Sequence, residues 1–344
     1  MKPAPVAPHR DNAFDLLRLI LAVMVVYSHA CFLGGFGTER FALFCHGQTT
    51  AGTLAVIGFF GISGFLVTRS FAVRGNLLKF AKARLLRIVP GFYFALLFTA
   101  FCLAPLISHF NTLGAAWKLS AAFHFVEMNA LVRIVEWHVG GVLHGLPYDG
   151  SIDGALWSLY PELCCYGLVA LFGVAKWIQS GRVNILVFGV SLLLLNAGIV
   201  IAPKVHEIAP TILQLTEWTP FVTAFVVGSL ASCYREQLEP GWTSAALWML
   251  IVLALLKFGG WALLGPLVLP IGLIRVAQSF SAALPADLSY GTYVLHFPIL
   301  QLLAALGLNH DGFFLFFTTG LVLALGLATV SWFGIERPFL RLKS

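Results

Sequence analysis

The sequence predicts an all-α fold: a polytopic membrane bundle of about ten transmembrane helices with both termini cytoplasmic. Three observations predict it. Of the 344 residues, 59% are apolar and only 10% are charged, where an ordinary soluble domain carries about 25% charged residues. The mean hydropathy is +0.89, and the apolar residues come in long unbroken runs rather than the alternation of a membrane β-barrel. The basic residues gather on alternate connections. So few charges cannot clothe a water-facing surface, which excludes a soluble enzyme, a disordered chain and a nucleic-acid-binding protein. The partner that composition implies is the lipid bilayer. The net charge of +6 is therefore read as a topology signal, with no nucleic acid expected.

Apolar runs of about one bilayer thickness fall at 14–33, 51–71, 85–107, 155–174, 184–203, 212–233, 242–258, 260–280, 287–308 and 313–335. The eighth is interrupted by Pro266 and Pro270. The opening MKPAPVAPHRDNA is polar and proline-rich and leads to no cleavage site, so the first helix is read as retained rather than as a signal peptide. With the N-terminus inside, only Arg40, Lys118, Arg133, Lys204 and Lys257 of the 21 basic residues face outward. Cytoplasmic connections retain Lys and Arg, which supports this orientation. The ten spans leave no room for a sizeable soluble unit, and residues 1–344 are expected to form one integral membrane domain. Cys31, Cys45, Cys102, Cys164, Cys165 and Cys233 follow no framework spacing and read as small apolar residues. No ligand set with metal spacing occurs, so no metal is expected.

The connection 108–154 is too long for a turn. Its WKLSAAFHFVEMNALVRIV suits a helix lying in or dipping into the interface. The following HVGGVLHGLPYDGSIDGALW is rich in Gly and Asp and reads as a shaped outer loop. Within it, His144 and Asp149 match an H-x-x-x-x-D acyltransferase spacing. That motif is short enough to arise by chance and stands on the side away from a cytoplasmic donor.

Ionisable groups inside spans are costly in hydrocarbon and so are informative. On the first helix, Arg18 and His29 lie three turns apart on one face, with Asp15 one turn below Arg18. Asp15 and Arg18 suit either a snorkelling pair or the start of a polar stripe. Glu162 follows Pro161 in the fourth span. Counting helical rise puts Glu162 and His29 at one depth, where a carboxylate could orient an imidazole as general base. Arg84 and Arg87 are one turn apart at the inner mouth of the third span; they can grip phosphate oxygens or simply mark an inward-facing loop. Ser63, between Gly61 and Gly64, and His296 each lie about 12 Å from the inner edge by the same counting. The glycines there suit a close ligand or plain helix packing.

FDLLRLILAVMVVYSHA, FFGISGFLV, RLLRIVPGFY, LWSLYPELCCY, SYGTYVLHFPI and the terminal IERPF resemble, in order, the signatures of the acyltransferase 3 family of integral membrane acyltransferases. One departure is that the aromatic pair usual after the glutamate is here Cys165 and Tyr166. The resemblance implies transfer of an acyl group, usually acetyl, from acyl-CoA to a hydroxyl of a carbohydrate or lipid-linked saccharide such as an O-antigen or exopolysaccharide unit. It assigns His29 and Glu162 to catalysis, with His29 as base or transient acyl carrier. Donor binding falls to Arg18, Arg84, Arg87, Ser63 and His296. Some relatives carry an added soluble domain; none is expected here, so such a partner would be separate or unnecessary. The competing class is a transporter or flippase for a lipid-linked sugar, its buried ions lining a path. The absence of internal repeats counts against it.

Overall fold

The computed structural model describes residues 13–201, 210–235, 241–282 and 284–343; Lys2, Arg10 and Lys204 of the predicted topology lie outside them. The principal helices are α1 (Phe14–Leu33), α2 (Arg40–Phe44), α3 (Ala51–Arg74), α4 (Leu77–Phe98), α5 (Ala104–Phe110), α6 (Leu119–Asn129), α7 (Leu159–Val174), α8 (Arg182–Ile201), α9 (Pro210–Cys233), α10 (Trp242–Phe258), α11 (Trp261–Ser279), α12 (Ser289–Ala305), α13 (Phe313–Ser331) and α14 (Arg337–Arg341). No strand occurs among the described residues. Each expected span coincides with a helix. Six helical segments are both long and apolar enough to cross a bilayer: α1, α3, Leu77–Phe110, Leu156–Val174, α11 and Phe313–Arg341.

Two of these run longer than the apolar pattern predicts because a π-helical turn joins two helices. Thr99–Leu103 links α4 to α5 ahead of Pro105, and Trp332–Glu336 links α13 to α14 ahead of Pro338. A proline has no N–H to donate, so the preceding turn widens and exposes carbonyls. Trp117 Nε1 donates to one of them, Ala100 O, at 3.1 Å. The second widened turn rotates Glu336 into the bundle, where it is 2% exposed.

Helix starts are set by local chemistry. Thr50 Oγ1 accepts from the Thr53 N–H at the start of α3, and the buried Glu39 carboxylate accepts from the Ala51 N–H. Asn76 Oδ1 accepts from the Lys79 N–H and begins α4 eight residues before the predicted apolar run. Such caps contribute about 1 kcal/mol each. Gln48 bonds the carbonyls of Leu255 and Leu256 and the N–H of Trp261, clamping the α10–α11 corner.

Helices α3 and α12 form the interior. Fifteen residues of α12 are buried, and α3 packs against α1, α9 and α11. The α3–α9 contact is backbone on backbone. A Cβ at Gly64 would strike the Phe225 carbonyl, and one at Gly228 would strike the Gly61 carbonyl. Gly61 itself meets Pro270 of α11. The glycines flanking Ser63 therefore serve helix approach.

The long outer connection enters the bundle instead of covering it. Gln301 Nε2 donates to Tyr148 O and Ser151 O at 3.0 and 2.8 Å, Gly154 lies against the Phe297 ring, and Ser158 Oγ bonds Tyr293 Oη at 2.7 Å. Partners thus descend α12 from Gln301 to Tyr293, about 12 Å. The chain reaches α7 already inside the bundle. The predicted interfacial helix is confined to α6, because Asn129 turns its side chain to the Val135 and Glu136 N–H groups and the Glu136 carbonyl.

Overpacking a tight contact costs about 1–3 kcal/mol. Gly64→Ala will lower the thermal midpoint of the detergent-solubilised protein, whereas Gly326→Ala, whose Cβ meets nothing within 4 Å, will leave it unchanged.

Candidate active site

Three groups of polar side chains occupy the interior between α1, α3, α4, α7 and α12. The uppermost, farthest from the Arg- and Lys-rich ends of α3 and α4, is a pair of imidazoles. His29 Nδ1 and His296 Nε2 are 2.7 Å apart, with the rings stacked at 4.9 Å. His296 Nδ1 lies 2.8 Å from Tyr293 O and 3.1 Å from Thr292 O. Carbonyls only accept, so Nδ1 of His296 carries its hydrogen and Nε2 offers a lone pair. The Nδ1–H of His29 donates to that lone pair. Nε2 of His29 is left unprotonated, as a base requires. Phe32 and Phe297 pack edge-on to His29 at 5.3 and 5.1 Å. His296 is fully buried.

Below the pair is a chamber lined in part by Arg18, Ser63, Ser158, Glu162, Tyr290 and Tyr293. At about 40 Å³ it has room for little more than a water or two. Ser63 Oγ and Tyr166 Oη donate to Glu162 Oε1 at 2.6 and 2.7 Å. The expectation that Glu162 orients His29 is thus corrected: Glu162 bonds Ser63 and Tyr166, and His29 bonds His296. The depth count failed for two reasons. Glu162 was measured from an outer edge at residue 155, but the loop before α7 has by then descended into the bundle. Residue 287 was set level with residue 14, yet Asp287 sits at Arg18. From that shared level His29 is eleven residues up and His296 nine, about 16 and 14 Å.

The third group centres on Asp287. Its Oδ2 accepts from Arg18 Nη1 at 2.9 Å and Arg87 Nη2 at 2.5 Å, and its Oδ1 from Ser289 Oγ at 2.6 Å. Arg87 Nη1 also lies 3.6 Å from Glu336 Oε2. Two of the three arginines expected at a donor site are therefore engaged by carboxylates. Arg84 is not: its Nη2 donates to Ser70 Oγ at 3.3 Å, its guanidinium lies 5.9 Å from the Tyr166 ring centroid, and its Nε is buried without a partner. Beyond the last span, burial and the neighbouring guanidiniums of Arg87, Arg84 and Arg74 push the Lys343 ammonium down to about 7. Cation excess thus concentrates on Arg84 and its surroundings.

Of the expected residues, His29 and His296 meet in one pair, Arg18, Ser63 and Glu162 share the chamber, and Arg87 joins Arg18 on Asp287. His296, expected to touch the donor, is instead the hydrogen-bond partner of His29. Asp287 and Glu336 were missed as site residues. Both were readable as acids at the ends of apolar runs that hold few charges. The exposed side chains of His144 and Asp149 do not pair with each other among the described residues.

A polar stripe through an all-helical membrane bundle, with a base above and cations below, is what a membrane acyltransferase needs. The chain belongs to the acyltransferase 3 family: the family's acyltransferase domain model matches residues 11–333. It is an integral membrane O-acyltransferase. It is 26% identical to an O-acetyl transferase of Shigella phage Sf6, covering 96% of this chain and 97% of that one. It is 28% identical to nodulation protein 10 of Rhizobium leguminosarum bv. viciae, over 98% and 95% of the two chains. No solved structure matches it.

Removing one member of a buried ion pair costs about 3–5 kcal/mol, because the other charge is left uncompensated. Asp287→Asn removes the carboxylate that Arg18 and Arg87 share, leaving Arg87 only its longer contact with Glu336. It will lower the thermal midpoint far more than Lys343→Met, as read by thermal denaturation in one detergent.

Proposed function

We propose that the protein moves an acyl group, most simply acetyl, from acyl-CoA at the basic end of the bundle to a hydroxyl of a carbohydrate acceptor reaching His29 from the opposite end. The observation that carries this reading is the stacked His29–His296 pair, which leaves one unprotonated ring nitrogen in a water-poor, aromatic-lined site directly above a chamber that leads to a cation cluster. The bacterial inner membrane is the location this chemistry suits, with cytoplasmic acyl-CoA and an acceptor on the outer side. One domain spanning the whole of residues 1–344 suffices for it.

His29 Nε2 takes the proton from the acceptor hydroxyl as the oxygen attacks the thioester carbonyl. The tetrahedral intermediate collapses with loss of the CoA thiolate, which recovers the proton from the His29 imidazolium. Nδ1–H stays bonded to His296 throughout, so His296 is a positioning residue that holds the ring and its tautomer. This is the general-base route; a transient acyl-imidazole on Nε2 uses the same nitrogen. A thioester is already an active acyl donor, so the protein's main task is to align it and exclude water.

Arg84, the one of the three expected arginines with no carboxylate ion-pair partner among the described residues, is the first choice for the donor's phosphates. Lys343 adds to the same field. Arg18 and Arg87 frame the entrance while held by Asp287. Ser63 and Glu162 line the passage, and with the Ser63 O–H given to Glu162 both offer acceptor oxygens to the amide N–H groups of the pantetheine arm. Because the chamber is nearly closed, the arm enters only when Tyr290 and Tyr293 swing aside, which makes entry a gated step. A transporter for a lipid-linked sugar is the reading this displaces. Turnover of radiolabelled acetyl-CoA by the purified protein separates the two, since a transporter gives no thioester cleavage.

His29→Ala will abolish transfer from acetyl-CoA with the protein still folded. His296→Leu will lower kcat about 10- to 100-fold, corresponding to about 1.4–2.8 kcal/mol of transition-state stabilisation. His296→Gln will recover part of this, because its amide oxygen can accept from the His29 Nδ1–H. Equal losses in the Leu and Gln variants, or unchanged activity in both, would remove the tautomer role.

Lys343 loses its charge as pH rises through about 7. Donor affinity measured by calorimetry will therefore be higher at pH 6 than at pH 8 beyond the change due to the CoA phosphates themselves. Lys343→Met will abolish that excess.

A further inference from the structure

On the other side of the first turn of α7 from the chamber lies a second cleft that the donor path does not use. It encloses about 330 Å³, and its walls include Arg133, Trp137, Trp157, Tyr160, Glu217 and Trp218. That volume lies at the small end of the range for ligand sites and suits one ring rather than an extended chain. The walls come from three separate stretches: the outer connection, Trp157 and Tyr160 at the entry to α7, and Glu217 and Trp218 in the third turn of α9. Trp218 and Tyr160 meet edge to face at 5.8 Å, Trp157 is braced on Phe221 at 5.4 Å, and the Arg133 guanidinium lies 5.9 Å from the Tyr160 ring centroid.

Aromatic rings are common singly at membrane interfaces, where they anchor a helix. Here three indoles and a phenol converge on one cavity together with a cation and a carboxylate. Neither Arg133 nor Glu217 has an ion-pair partner among the described residues. Both keep their hydrogen-bonding capacity at the cavity wall. A ligand that uses such a site must present an apolar face to stack on indole and, around its edge, neutral groups that both donate and accept. A sugar ring has both: axial C–H groups make its faces apolar, and hydroxyls ring its rim. A lipid tail has no use for the paired charges, and a phosphate has no use for the indoles and is repelled by Glu217.

We propose that this cleft binds a single sugar ring of a glycan, with Trp218 and Trp157 stacking on its faces and Arg133 and Glu217 bonding its hydroxyls. As the acceptor subsite of the enzyme it rests on the acyl-transfer reading given above, and it deepens that reading by giving the acceptor sugar a place in the fold. The placement fits that role. Trp157 and Tyr160 face the cleft from the same short stretch, residues 157–162, that sends Ser158 and Glu162 to the chamber, and Ser158 bonds Tyr293, whose ring is tilted against that of His296 at 6.2 Å. A ring held in the cleft therefore sits next to the turn that separates it from the reacting groups.

Saturation-transfer NMR with the intact protein in nanodiscs tests sugar binding without any transfer reaction. The probes are the methyl glycosides of glucose, galactose and rhamnose, at millimolar concentration. At least one will receive saturation at its ring C–H protons. The signal will fall at least fivefold in Trp218→Ala and in Arg133→Ala, and will persist in Trp218→Phe. If Trp218→Ala does not fold, Arg133→Ala and Glu217→Gln, both at exposed positions, carry the test. No saturation of any glycoside by the wild type, or equal saturation in wild type, Trp218→Ala and Arg133→Ala, overturns the site. Acetyl-CoA binding to the same nanodiscs, measured by calorimetry, keeps the two readings apart. A wild type that binds acetyl-CoA but no glycoside loses this cleft and keeps the enzyme reading. One that binds a glycoside through Trp218 but no acetyl-CoA keeps the cleft and loses the donor.

Discussion

Asp287 is one carboxylate shared by three helices, and the register of the interior follows from it. It accepts from Arg18 on α1, from Arg87 on α4 and from Ser289 at the start of its own helix α12. In hydrocarbon, none of these charges can be left unpaired without a cost of several kcal/mol. The pairing therefore fixes how far α1 and α12 slide past each other. Once Arg18 is level with Asp287, His29 and His296 arrive at the same height with rings that stack, though they lie eleven and nine residues along their helices. The proposed base is thus positioned by a salt bridge about 16 Å away.

A second constraint acts from the opposite end. The outer connection gives up its own hydrogen bonding to water as it enters the bundle and must recover it from α12. Gln301 answers two of its carbonyls, and Tyr293 meets Ser158. The descent starts α7 deep inside, so one turn of that helix can serve the chamber on one side and the aromatic cleft on the other. Burial of α12 on nearly all sides is what makes this ladder possible, since both neighbours and loop pack on it.

The sequence made the long helices legible because each falls on a long apolar run. It also exposed Arg18 and His29 as costly groups on one helix face. It did not make their partners legible. Depth counts assume that every span starts at a membrane edge, and the loop before α7 breaks that assumption for Glu162. The same counts assume that helix ends are level, and Asp287 shows that they are not. Glu336 stands in the sequence as an acid at the end of an apolar run, but the π turn that brings its side chain into the bundle does not show there. The Trp cleft was hidden because its rings come from segments far apart in the chain. What sequence cannot supply in each case is relative height, which long-range polar contacts set.

The choice of a histidine, rather than a carboxylate, to orient His29 follows from the same physics. A carboxylate there would bring a full charge into the most enclosed part of the bundle, and pairing repays such desolvation only with additional hydrogen bonds. A neutral imidazole tied to two backbone carbonyls fixes the tautomer of His29 with no net charge. The cost is a weaker base than a carboxylate-supported histidine. For a thioester that cost is acceptable, because the donor is already activated and the leaving thiolate is stable. The carboxylates are kept where cations already stand: Asp287 and Glu336 beside Arg87, and Glu162 near Arg84. Charge is thus spent on anchoring helices, while the proposed reacting centre is built from neutral groups held in place by hydrogen bonds.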